Sequence, residues 1–157
     1  MSDGEDWGWL ILAALCVQLR LLCNLLDGMV AVEGGKAAPD GAFWNEVPDR
    51  VADVLILVGV GLAVDEPALG WAAGALAIAT AYVREAAIAQ GGEADFRGPM
   101  AKPQRMAAVT VAALVAVVLP EIWEVPTLEI ALWLVVAGTA VTFVRRAARY
   151  RMTLLDK

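Results

Sequence analysis

Apolar residues in this chain fall into five blocks, at about residues 7–32, 42–64, 68–89, 106–123 and 128–144. A helix rises about 1.5 Å per residue and a bilayer's hydrocarbon core is about 30 Å thick, so roughly 20 apolar residues can cross it. Inside lipid every backbone polar group needs a partner, which blocks of this length obtain only as helices. The expected fold class is therefore all-α, a polytopic transmembrane helix bundle of five spans. Residues 1–157 are expected to form a single integral membrane domain. The chain is 60% hydrophobic, with a mean hydropathy of +0.65, whereas soluble domains run at about 45–50% apolar.

Charge placement predicts the orientation. Acids occupy Asp3, Glu5, Asp6, Asp65, Glu66, Glu121, Glu124 and Glu129, in short stretches without Lys or Arg. Basic residues gather at Lys36, Arg50, Arg84, Arg97, Lys102, Arg105 and the C-terminal Arg145, Arg146, Arg149, Arg151 and Lys157. By the positive-inside rule, the 33–48 link, the 84–105 loop and the C-terminus face the cytoplasm. The N-terminus and the two acidic turns then face outward. The acidic N-terminus lacks the basic region of a cleavable signal peptide.

Residue types restrict the chemistry. There is no His, and Ser2 is the only serine, which excludes Ser-His hydrolysis and His-bound metals. Cys16 and Cys23 share a helical face in an apolar block and are expected as buried free thiols. Gly70 and Gly74, extended by Ala77 and Ala81, form a small-residue groove of the kind that lets membrane helices pack closely.

Polar groups concentrate between Arg20 and Asp53. Arg20, Asn24 and Asp27 share one helix face, as do Asn45, Asp49 and Asp53 on the next span. Pro48 is expected in an early turn, where its missing N–H costs least. Ionisable groups at membrane depth read by default as functional. Carboxylate and carboxamide oxygens converging there suit a hard cation such as Mg²⁺ or Mn²⁺. Interhelical packing that pairs Asp27 or Asp53 with Arg20 or Arg84 explains the same residues equally well. A transport pathway is disfavoured, because the outward halves of these two spans are almost purely apolar.

Asp27-Gly28-x2-Ala31, followed by Gly41-x3-Asn45-x3-Asp49, resembles the CDP-alcohol phosphatidyltransferase signature, D-x2-D-G-x2-A-R-x8-9-G-x3-D-x3-D. The spacing from Asp27 to Asp49 matches without a gap. The resemblance implies transfer of a phosphoalcohol group from a CDP-linked donor to an acceptor alcohol, with release of CMP, in phospholipid biosynthesis. The implied donor is CDP-diacylglycerol and the implied cofactor Mg²⁺ or Mn²⁺, in a bacterial-type inner membrane with the site facing the cytoplasm. The family's habit implies a homodimer among membrane lipid, and no nucleic acid is expected.

Carried over residue by residue, the resemblance makes Asn24, Asp27, Asn45 and Asp49 the metal positions, with Asp49 also the base on the acceptor hydroxyl. Gly28, Ala31 and Gly41 leave room for the nucleotide. Gly98-Pro-Met-Ala-Lys102-Pro-Gln-Arg105 looks like the family's later basic loop, in which Lys102 and Arg105 hold phosphates. Two signature Asp positions are Asn here and the signature Arg is Val32. Asp53 offers a compensating ligand, and a shifted reading makes Asp49 the ligand and Asp53 the base. The chain also begins at the motif-bearing span, where the family has a preceding helix. These departures motivate the alternative of a non-catalytic relative that binds nucleotide or lipid, or supports a partner subunit.

Overall fold

The computed structural model describes residues 6–33, 40–118 and 127–155. Five helices and no strand occur among them: α1 (Asp6–Glu33), α2 (Gly41–Ala63), α3 (Pro67–Ala89), α4 (Lys102–Val118) and α5 (Thr127–Leu155). Three of these, α1, α3 and α5, are long and apolar enough to cross a membrane. In α2 the first half carries Glu46, Asp49, Arg50 and Asp53, and α4 has 17 described residues. The expected end of the fourth span, beyond Val118, lies outside the described residues.

The helix bounds shift functional residues. Lys102 and Arg105, expected in a loop, belong to the first turn of α4. Helix α5 continues through the basic tail to Leu155. At 29 residues it is roughly 44 Å long, so its basic end reaches past an apolar slab of about 30 Å. Pro48 lies in an early turn of α2, as expected, but past the first one, so the Trp44 carbonyl loses its helical donor.

Packing follows α2 on α3, α3 on α5, α5 on α4 and α4 on α1. Leu57, Leu69, Ala73, Ala77, Val109, Leu132 and Val135 form the buried core. Small residues bring α2 and α3 together as the sequence predicts, with Gly70, Gly74, Ala77 and Ala81 all buried. A Cβ on Gly70 would lie 2.9 Å from the Leu57 carbonyl oxygen and 3.1 Å from the Gly61 Cα. Neither backbone atom can move aside alone. Gly70→Val should cost about 3 kcal/mol through overpacking, read as a lower unfolding midpoint in detergent; an unchanged midpoint would mean the two helices separate freely.

The turn between these helices is closed by the Glu66 amide donating to the Gly61 carbonyl at 2.8 Å. Asp65 there adopts φ 57°, a left-handed conformation that Asp tolerates better than most residues. Pro67 then starts α3, its ring already set at a helical φ.

Helix α1 rests on α4 along a narrow stripe that buries Ala14 and Val17, and Gln18 donates to the Thr110 hydroxyl at 2.7 Å. Cys16 and Cys23 are free but exposed, correcting the burial expected for them. They lie off that stripe, among the exposed Leu15, Leu19 and Leu22.

Candidate active site

Helix direction alternates, so one end of the bundle collects the late turns of α1, α3 and α5 and the early turns of α2 and α4. The polar side chains meet at that end. Arg20 is the pivot: its Nη2 donates to Asp49 Oδ1 at 2.8 Å, to the Asp49 carbonyl at 2.9 Å and to Asp53 Oδ1 at 2.7 Å. Asn24 donates through Nδ2 to Asp49 Oδ1. Lys102 Nζ bonds Asp49 Oδ2. Arg105 Nη2 reaches Asp53 Oδ2 at 3.1 Å, with both side chains only 2% exposed.

Sequence position explains this convergence. Asp49 and Asp53 are one turn apart on α2, and Arg20 precedes Asn24 by one turn on α1. Lys102 and Arg105 lie at the start of α4, where the helix dipole disfavours cations; the two carboxylates offset that cost. The pairing of Arg20 with Asp53 is the packing arrangement that the sequence left open beside a metal site.

A second charge group flanks the first. Glu46 bonds both Arg50 and Arg84, the latter at 2.7 Å. The Arg84 guanidinium also sits 5.3 Å from the Phe96 ring centroid, within cation–π range. Arg146 donates from Nε to the Arg97 carbonyl at 3.1 Å.

These groups surround a cavity of about 560 Å³. Its described lining has five basic residues, Arg50, Arg84, Lys102, Arg105 and Arg146, against two acidic ones, Glu46 and Asp49. Asn24 and Asn45 also face it. The sequence offered Arg20 and Arg84 only as packing partners of Asp27 or Asp53, and gave Arg146 no site role. The available signal was an arginine inside or at the edge of an apolar block, which lipid tolerates only with a partner.

Other candidate residues are arranged differently. Asp27 is exposed and joins no ion pair among the described residues. Asp53 is buried and is not among the described residues lining the cavity. Gly28 and Ala31 lie in α1, but their side-chain surroundings fall outside the description. Gly41 opens α2, and among the described residues nothing lies within 4 Å of a Cβ built on it.

The residues do not fit a resident divalent cation as arranged. All four oxygens of Asp49 and Asp53 accept from Arg20, Asn24, Lys102 or Arg105. Among the described residues, no group of three or more His, Cys, Asp or Glu side chains is placed to hold a metal ion. A metal would first have to displace a cation from a buried carboxylate.

The loop before α4 is held against α5. Gly98 has φ 146°, and a Cβ there would clash with Thr142 Cγ2. The Met100 amide donates to the Thr142 hydroxyl at 3.0 Å. Asp95 accepts from Arg149 at 2.9 Å and from the Arg97 amide at 2.9 Å. Burial pushes the Asp95 carboxyl up, but these bonds outweigh it and hold the pKa at about 2. Because the folded value lies below the unfolded one, Asp95 stabilises the loop above pH 4 and ceases to do so as pH falls through about 2. With Arg97 and Arg149 largely exposed, solvent screening limits the effect to about 1 kcal/mol. Amide exchange in residues 93–98 should rise between pH 4 and pH 2, and Asp95→Asn should remove that dependence.

The described residues thus form a helix bundle with a cation-rich chamber beside a buried carboxylate pair, and three of its helices are long and apolar enough to cross a membrane. A curated relative, phosphatidylinositol phosphate synthase from Mycobacteroides abscessus, is 29% identical over 149 residues, covering 88% of this chain and 64% of the relative. The similarity supports the family resemblance read from the motif. It spans somewhat less than two thirds of that relative's length. No family profile and no solved structure matches the chain significantly.

Proposed function

We propose that this protein is a phosphatidyltransferase of phospholipid synthesis, taking a CDP-linked lipid donor and an acceptor alcohol and releasing CMP. The observation that carries the reading is the cation-lined cavity, which has Asp49 in its wall and lies where the signature spans meet. The relative's name supports the same class of reaction. The proposed location is a membrane, with the chamber on its cytoplasmic face, where a soluble alcohol and a lipid donor can meet.

The chain's own groups suffice to write the step. Arg50, Arg84, Lys102 and Arg146 would neutralise the donor's pyrophosphate, as Arg and Lys clamps do for transferring phosphoryl groups. The acceptor oxygen attacks the phosphorus bearing the lipid, and the bond from that phosphorus to the CMP oxygen breaks. The acceptor's proton passes to Asp49, and CMP leaves with the bonding pair. Both carboxylates are buried, but Asp49 lines the cavity and Asp53 is not among its described lining residues, which supports Asp49 over Asp53 as the base. Asp53 then holds Arg20 and Arg105 in position.

The test is CMP release from CDP-diacylglycerol by the purified protein across a panel of alcohols. Inositol phosphate is the first to try, given the product in the relative's name. Acceptor-dependent CMP release is expected. Silence across the panel would overturn the reading in favour of a relative that binds without turnover.

A further inference from the structure

We infer that Arg20, Lys102 and Arg105 occupy the place of a divalent cation, so that this chamber takes its phosphate ligand without a metal. The inference rests on the proposed phosphate-binding role of the chamber. Arg20 Nη2 lies between Asp49 Oδ1 at 2.8 Å and Asp53 Oδ1 at 2.7 Å, bridging the two carboxylates as a shared cation would. The remaining oxygens, Asp49 Oδ2 and Asp53 Oδ2, are taken by Lys102 and Arg105.

The donor set agrees with the geometry. Asn24 and Asn45 stand where the signature has Asp, so the four signature positions carry two negative charges rather than four. Asn24 also turns its amide N–H₂ toward Asp49, presenting a donor where a metal needs a lone pair. Three cations already face two carboxylates. Adding a divalent ion would raise the local excess from one positive charge to three, in surroundings that screen charge poorly. An anionic ligand relieves the same excess.

Arg20 and Asn24 thus act together. Neutral Asn removes ligand charge from the signature, and an arginine one turn earlier supplies a fixed cation. The consequence is binding that does not depend on dissolved metal.

Two measurements on the full chain in detergent decide it. Mn²⁺ titration followed by electron paramagnetic resonance should show no stoichiometric bound ion in the wild type at up to about 1 mM, a binding energy of about 4 kcal/mol. Arg20→Gln combined with Asn24→Asp and Asn45→Asp should gain a bound Mn²⁺. Because that variant could fail to fold, Asn24→Asp/Asn45→Asp with Arg20 retained is measured beside it and should bind Mn²⁺ weakly. Calorimetric CDP binding to the wild type should change by less than about twofold between EDTA and Mg²⁺. One bound Mn²⁺ per wild-type chain, or a loss of CDP affinity of about tenfold or more in EDTA, would overturn the inference. Absence of CDP binding under both conditions would instead overturn the phosphate-binding role, while the Mn²⁺ titration still decides the metal.

Discussion

Asp49→Asn should reduce CMP release by about 10² to 10⁴, the range over which a positioned general base contributes. The amide has the size of the carboxylate but cannot take the acceptor's proton. It also leaves Lys102 without its carboxylate at the cavity wall, which makes the chamber more positive. Donor binding should therefore hold or tighten, and the loss should fall on kcat rather than KM. Steady-state kinetics with CDP-diacylglycerol as the varied substrate separate the two. Retained turnover would move the base to Asp53, one turn further along α2. A rise in KM with kcat unchanged would make Asp49 a binding group only.

The second large effect concerns stability. Asp53→Ala should destabilise the protein by about 3–5 kcal/mol, because it strips a buried guanidinium of its carboxylate. Arg105 is 2% exposed, and without Asp53 its remaining hydrogen bond among the described residues runs to the Met100 carbonyl at 3.2 Å. Its Nε already has no partner there. Removing both charges is a different matter, since a packed apolar pair of similar volume often replaces a buried ion pair at little cost. Asp53→Leu/Arg105→Met should recover most of the loss. Unfolding midpoints of the singles and the double form a cycle whose coupling term tests the pair; simple additivity would mean that the two side chains do not depend on each other.

Both effects arise from residues visible in the sequence, yet their partners were visible only in part. Asp49 and Asp53 stand out because a carboxylate in an apolar block is costly, and their spacing puts them on one helix face. Lys102 and Arg105 entered through the likeness to a basic loop, and the structure puts them instead on the first turn of α4. That difference matters physically, because a helix start aims the two side chains at fixed neighbours where a loop would not. Arg84 and Arg146 drew no site reading, because charge patterning assigns arginines near helix ends to orientation before it assigns them to a chamber.

By itself the sequence determined the helical class, the location of the apolar blocks, the close approach of small residues on α3 and the signature spanning Asp27 to Asp49. Each follows from local chemistry: backbone satisfaction in lipid, side-chain size and helical period. Tertiary structure decided which groups meet. Helix α1 lies against α4 rather than along α2, and reaches α2 through the long side chain of Arg20 and through Asn24. Whether Asp49 and Asp53 face a metal or a guanidinium depends on distances of about 3 Å across three helices. Periodicity along one helix carries no information about those distances, because they depend on how the helices are rotated and stacked.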